Sequence, residues 1–362
     1  MSGRLYPVCL AVLLLAVSCG QGGGRHRAPV QMISSSPASG SAFLQGVSAQ
    51  YCGAAGDVFI LAGGANFPDV PASEGGRKKF HDDILVLGRD LSGNLVWKKA
   101  GALPVPAAYG ASAVLDTSLL IAGGASGAGS LDGVYELFPD GDSVRVSERL
   151  PLPFPLEQCA SAVDDSNVYL AGGLSGNIPN LAVLASPRSG VSGWEVIAEL
   201  PEPLVQPVAF SDGRGLYVWG GYNPERKAAV GKGYFLDFSS REWTMAPSPD
   251  GRTLTGAGGA AGPDGRFYVA GGVDRDVFTR ALGLGPEEFH AYMLRKPSYY
   301  RFCDRMYAFD PRSGEWSLVY RDSRLAKAGA ATGFHGPDMI IAGGEVKPGI
   351  RTPEAYQLSI GK

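Results

Sequence analysis

An all-β fold, a ring of six blades, is what this sequence predicts, and three observations carry that expectation. An apolar run ending in a glycine pair recurs six times: VFILAGG to Gly64, LLIAGG to Gly124, VYLAGG to Gly173, LYVWGG to Gly221, FYVAGG to Gly272 and MIIAGG to Gly344. Each run follows a strand of small residues and a polar turn, as in YGASAVLDTS, and precedes an aromatic strand such as GYFLDF or MYAFDP. The composition, with 52 glycines, 26 prolines and 19% charged residues in 362, suits many short strands joined by tight turns and argues against coiled coil and disorder. Four short antiparallel strands twist strongly and need neighbours to cover both faces, so each repeat reads as one blade of a closed propeller.

The elements follow in chain order. Arg4 and the apolar run Val8–Val17, too short to span a bilayer, read as an export signal over residues 1–19. Ala16-Val17-Ser18 before Cys19 fits two processing modes: an ordinary signal-peptidase site, or a lipobox with Ala16 in place of its usual leucine and Cys19 as the lipidated residue. The lipoprotein mode is preferred, with residues 20–28 as a glycine-rich tether. Either mode puts the mature chain outside the cytoplasm, in the periplasm or anchored at the cell envelope. Residues 29–362 then form a single domain. Pro29–Ser35 (PVQMISS) precedes the first repeat with no blade of its own, and the sixth repeat lacks an outer strand. The first is expected to complete the second, sealing the ring and removing an open edge. Three repeats continue into outer strands marked by Trp194, Trp243 and Trp316. The glycine pairs are read as turns where side chains would crowd the central channel.

Charge and cysteines narrow the function. A net charge of −3 gives no electrostatic footprint for nucleic acid. Beyond the signal only Cys52, Cys159 and Cys303 remain, without C-x-x-C spacing, so neither a disulfide framework nor a zinc site is expected. Cys52 and Cys159 are read as equivalent small apolar positions of two repeats. His81, His290 and His335 are too scattered for a radical copper centre, and no metal or other cofactor is expected.

The loops after the glycine pairs open on one face, around the channel mouth, where function concentrates on a rigid scaffold. Two are long, Ala65–Asp82 and Val273–Asp304, and within the second Pro286–Leu294 is expected to be helical. Candidate ligand-binding residues are Asn66, Glu74 and Lys78 in the first loop, Asn223 in the fourth, Arg275 in the fifth and Lys347 in the sixth. Tyr109, Gln158 and Gln206, at the starts of innermost strands, join them. Any one of these alone reads as a solvated loop residue. Polar groups and aromatics converging on one opening point instead to a polar, planar-faced ligand such as a sugar.

The repeats resemble Kelch repeats, and a more specific likeness lies in the last loop. GGEVKPGIR (Gly343–Arg351), with the GGANFPD and EGGRKKFHDD loops, resembles the bacterial N-acetylneuraminate epimerases, the sialic acid mutarotases, in their cyclically permuted branch. The resemblance covers essentially the whole mature chain and implies a six-bladed Kelch propeller with Glu345 and Arg351 as its catalytic residues. The 273–304 loop departs from the family, so no residue is carried over there. The implied activity interconverts the α and β anomers of N-acetylneuraminate through the open chain, without a cofactor. Glu345 would act as general acid or base and Arg351 would hold the substrate carboxylate with its planar fork, both exposed at the mouth. Pro348-Gly349 between them favours a turn that brings them together. The alternative is a non-catalytic Kelch propeller binding carbohydrate or protein in the cell envelope, which fold alone does not exclude.

Overall fold

The computed structural model describes residues 31–33 and 40–360 and is a six-bladed β-propeller. Blade 1 runs outward from the channel through Tyr51–Ala55, Val58–Ala62, Asp83–Arg89 and Leu95–Ala102. Blades 2 to 5 repeat this order from innermost strands Ala111–Leu115, Ala160–Val163, Val205–Ser211 and Ala257–Ala261. Blade 6 takes three strands from the C-terminal end, Ala331–His335, Asp338–Ala342 and Ala355–Ser359, and its outer strand, Gln31–Met32, from the N-terminal end. Closure is therefore as expected: Gln31 lies opposite Gln357, Met32 opposite Tyr356, and the Ile33 N–H donates to the Ala355 carbonyl at 2.9 Å. The export signal, Cys19 and the tether lie outside the described residues.

The second strand of a blade is covered on both faces by its neighbours, which is why it reads as an unbroken apolar run. Ser118–Ala122, Phe267–Gly271 and Asp338–Ala342 are buried at every position. The glycine pair that ends each run serves a purpose other than clearing the channel. Gly123 has φ +60, and a Cβ there would press into the Leu156 carbonyl oxygen, backbone entering the next blade. The Gly124 N–H donates to that same carbonyl at 2.8 Å, so the pair is an interblade stitch. Gly123→Ala should cost at least about 2 kcal/mol, because it combines a left-handed φ with backbone overlap. Denaturant unfolding measures this, and unchanged stability would refute the stitch.

Two sequence expectations are corrected. Cys52 and Cys159 are not equivalent: the bridges Ser48–Ala65 and Glu157–Leu174 align Cys159 with Gln50, two positions before Cys52. The two cysteines face different cavities of the channel, and all three described cysteines are free thiols. A tryptophan also marks the outer strand of blade 1, where Trp97 packs on Phe43 at 5.7 Å between ring centroids. Trp194 stands one residue before its outer strand, Glu195–Glu199.

Candidate functional site

At one end of the channel the chain enters each blade through a residue in the left-handed region. Ala49, Tyr109, Gln158, Gln206, Gly256 and Gly329 have φ between 57 and 65. Each donates its N–H to the carbonyl of the equivalent residue in the preceding blade, and Ala49 donates to Gly329, so six backbone hydrogen bonds form a closed ring. Glycine is the unstrained choice there, since a side chain costs roughly 1–2 kcal/mol in this conformation. Three of the six nevertheless carry large side chains, and Tyr109, Gln158 and Gln206 all line a mouth cavity of about 270 Å³. The other half of the ring, at blades 5, 6 and 1, is bare. Retained strain of this kind is a mark of function.

The sixth loop leans over the bare half. Glu345–Lys347 and Ile350–Arg351 form a two-stranded hairpin around Pro348-Gly349, with Gly349 at φ +82. Glu345 and Arg351 are directly opposed in its register, which puts both side chains on one face. The Glu345 N–H donates to the Ala328 carbonyl at 2.7 Å and pins the hairpin to the entrance of blade 6. Arg351 Nη2 reaches Glu345 Oε1 at 2.5 Å, its Nε donates to Ser48 Oγ at 3.1 Å, and its guanidinium lies 4.8 Å from the Phe67 ring centre.

The expectation that both side chains are exposed fails for Arg351, whose side chain is 3% exposed, while Glu345 keeps 24% through the mouth. Arg351 sits behind Glu345, with its fork engaged and only Nη1 without a protein partner. It supports Glu345 and does not line the cavity, whereas Glu345 does. Burial raises the Glu345 carboxyl above its ordinary range, against the opposing pull of Arg351, Lys78 and the Gly349 N–H. The carboxyl at the cavity wall therefore takes up a proton more readily than an ordinary glutamate, which suits it to move protons in both directions.

The fifth loop builds a helical roof, of which the sequence expectations cover only the middle part. It comprises α1 (Arg275–Leu282), α2 (Pro286–Met293) and α3 (Pro297–Tyr300). Asp274 caps α1 by accepting from the N–H groups of Asp276 and Val277, an N-cap signal that VDRDVF carries openly. Beneath the roof lies a second, apolar cavity of about 200 Å³ that shares Gln206, Ala328 and Glu345 with the first.

The other candidates divide. Lys78 stands at the mouth, its Nζ 4.6 Å from the Tyr109 ring centre, and its charge acts on Glu345. Asn66 is buried and fully used, donating to the Gly46 carbonyl and meeting His81 Nε2 at 2.8 Å. Asn223 is likewise buried, donating to Glu202 and accepting from the Arg226 N–H. Both are framework residues, because their polar atoms are already paired. Arg275 donates to the Gly251 carbonyl at the outer side of α1, and Lys347 to the Arg295 carbonyl of the roof. Glu74 is exposed on the first loop and, like these, is absent from the walls of the mouth cavity and of the cavity beneath the roof. Sequence reading missed Gln50, which is 8% exposed, lines the mouth cavity and has neither amide atom paired. Its alignment with Cys159 and Gly110 hides it, since nothing in the repeat marks that position as polar.

Comparison with known proteins bears on this site. The sequence model described as N-acetylneuraminate epimerase matches residues 151–362, a span that includes the roof, Glu345 and Arg351. The N-acetylneuraminate epimerase of Haemophilus influenzae (strain 86-028NP) is 30% identical over 178 residues, covering 45% of this chain and 47% of its own. That of Brucella melitensis biotype 1 is 27% identical over 187 residues, covering 46% and 48%. That of Vibrio vulnificus (strain YJ016) is 26% identical over 190 residues, covering 47% and 49%. The chain spans about half the length of the curated relatives it matches.

Proposed function

The chain belongs to the N-acetylneuraminate epimerase family, and from that premise we propose that it interconverts the α and β anomers of N-acetylneuraminate. The observation that carries this reading is the Glu345 carboxyl, raised by burial, backed by Arg351 and opening on a cavity of sugar size. Ring opening needs a proton on the ring oxygen and loss of one from the anomeric hydroxyl. A single carboxyl group can do both: one oxygen gives its proton to the ring oxygen while the other takes the hydroxyl proton. The bond between the anomeric carbon and the ring oxygen breaks, the keto form appears, and Glu345 ends protonated as it began. Rotation at the freed carbonyl and reversal of the same transfers close the other anomer.

The remaining groups orient the sugar. Lys78, an exposed ammonium whose charge acts on Glu345, is placed to meet the substrate carboxylate, with Gln50 and Gln158 on the hydroxyls. Arg351 reaches the substrate only through Glu345, so it is a positioning residue. The export pattern at the N-terminus supports placing this reaction outside the cytoplasm, at the cell envelope. NMR of freshly released α-sialic acid, with and without catalytic amounts of protein and with no metal or nucleotide added, tests the assignment. Unchanged anomer kinetics would remove it, and loss of activity on adding a chelator would remove its metal-free form.

A pH dependence follows from the raised carboxyl. The mechanism needs Glu345 protonated, so the catalysed rate, after subtraction of the spontaneous one, should fall as pH rises through the Glu345 pKa. That limb should stand above the ordinary glutamate value of about 4.3. Lys78→Met removes a cation that favours the ionised form, so it should move the limb to higher pH. A limb that stays in place in this variant would separate Lys78 from Glu345.

A further inference from the structure

We propose that the apolar chamber beneath the helical roof is the subsite for the N-acyl arm of the sugar acid, and that it accepts acyl chains longer than acetyl. This inference rests on the sugar-acid reading above. The chamber adjoins the channel cavity at Gln206, Ala328 and Glu345, which line both, and we take this shared edge as the throat between them. Beyond the throat the chemistry changes. Val277, Phe278, Ala281 and Leu282 come from one face of α1, and Phe289 and Tyr292 from α2.

A sugar hydroxyl pushed among these side chains would lose its hydrogen bonds to water and find few replacements, at a cost its burial does not recover. An alkyl arm suffers no such loss. The throat has what an acylamino group needs: Gln206 commits Nε2 to Gln158 at 2.8 Å and keeps its oxygen as an acceptor for an amide N–H. The sugar ring then lies in the polar cavity against Glu345, and the acyl chain passes into the apolar one.

The chamber is held open by its own framework. The Tyr300 hydroxyl donates to the Tyr292 carbonyl at 2.5 Å, and the two rings meet edge to face at 5.1 Å. The roof is wedged against the first and sixth loops, since a Cβ on Gly349 would lie 2.9 Å from Ala72 Cβ and 3.0 Å from Met293 Cε. A preformed apolar pocket of this kind favours binding because little ordering is left to do. Its volume of about 200 Å³ is also generous. A water's share of liquid is about 30 Å³, so two carbons and an oxygen fill well under half of it.

The test is a titration-calorimetry series of neuraminic acids bearing N-acetyl, N-propanoyl and N-butanoyl groups, with the sugar that has a hydroxyl in place of the acylamino group as the baseline. Kd should fall by about fourfold for each added methylene, and the hydroxyl sugar should bind more weakly than the N-acetyl one. Ala281→Phe fills the chamber, so the ratio of N-butanoyl to N-acetyl affinity should drop below one in a variant whose melting curve shows it folded. If that variant does not fold, Phe289→Ala serves instead: it opens the wall at a residue already 45% exposed and should shrink the gradient. N-Acetylneuraminate that binds and exchanges anomers with a flat or inverted acyl series overturns the subsite and leaves the sugar-acid reading standing. Failure of every sugar to bind overturns both.

Discussion

Glu345→Gln is expected to lower the catalysed anomer exchange by roughly 10²- to 10⁴-fold, the usual worth of one positioned acid–base group. Glutamine keeps the size of the side chain and can still accept a hydrogen bond from Arg351, but it has no proton to give to a ring oxygen. The same change removes the counter-charge of a guanidinium that is only 3% exposed. Breaking a buried pair from one side costs about 3–5 kcal/mol, and the partial opening of Glu345 to the mouth puts the loss here at the low end of that range. The variant should therefore melt earlier than wild type as well as turn over more slowly. Anomer-exchange NMR well below its melting temperature separates the two effects.

Arg351→Met gives the complementary result. Glu345 loses the cation that favours its ionised form, protonates more readily and stays neutral in its site, so less stability is lost than when the arginine is stranded. The high-pH limb should move upward and kcat should change more than KM, because Arg351 does not touch the cavity. Wild-type kinetics in Glu345→Gln would put the proton transfers elsewhere in the mouth. A dominant rise in KM for Arg351→Met would mean that the guanidinium holds the substrate directly.

How far the sequence alone reaches is visible at particular residues. The blades were legible because glycine pairs and apolar runs repeat with a physical reason for each: a second strand covered on both faces, and a stitch where no Cβ fits. The pairing of Glu345 with Arg351 was legible as well, since a turn at Pro348-Gly349 leaves few other geometries for so short a loop. Burial was not. Arg351 looks like a loop cation in sequence, and its place behind Glu345 depends on Ser48 and Phe67, hundreds of residues away along the chain. Asn66 and Asn223 illustrate the same limit, because a polar loop residue reveals nothing about whether its amide is already spent on the framework. The strained ring at Ala49, Tyr109, Gln158 and Gln206 was hidden for a related reason: left-handed backbone is announced by glycine, and here glycine stands at only two of six equivalent positions.

Removal of the N-terminal strand should lower stability substantially, although it takes away only three described residues. Gln31 and Met32 satisfy the outer edge of Ala355–Ser359, and without them blade 6 presents unpaired N–H and C=O groups to solvent or to another chain. Ile33 is 8% exposed and belongs to the cluster of Phe43, Phe59, Trp97 and Ile340 that joins blade 6 to blade 1. Truncating a buried isoleucine to alanine typically costs about 2–5 kcal/mol, and the lost edge adds to it. With an unfolding entropy near 2.1 cal/mol/K per residue, a loss of about 4 kcal/mol in a domain of this size lowers Tm by roughly 6 °C. Ile33→Ala should account for most of that shift by itself, while Gln31→Ala, on an exposed position, should be nearly silent. Deleting residues 31–33 should also bring concentration-dependent association, which light scattering reads directly, because the bare edge is a template for strand pairing. A truncated protein that melts with wild type and stays monomeric would show that the ring is held shut by contacts between blades rather than by this strand.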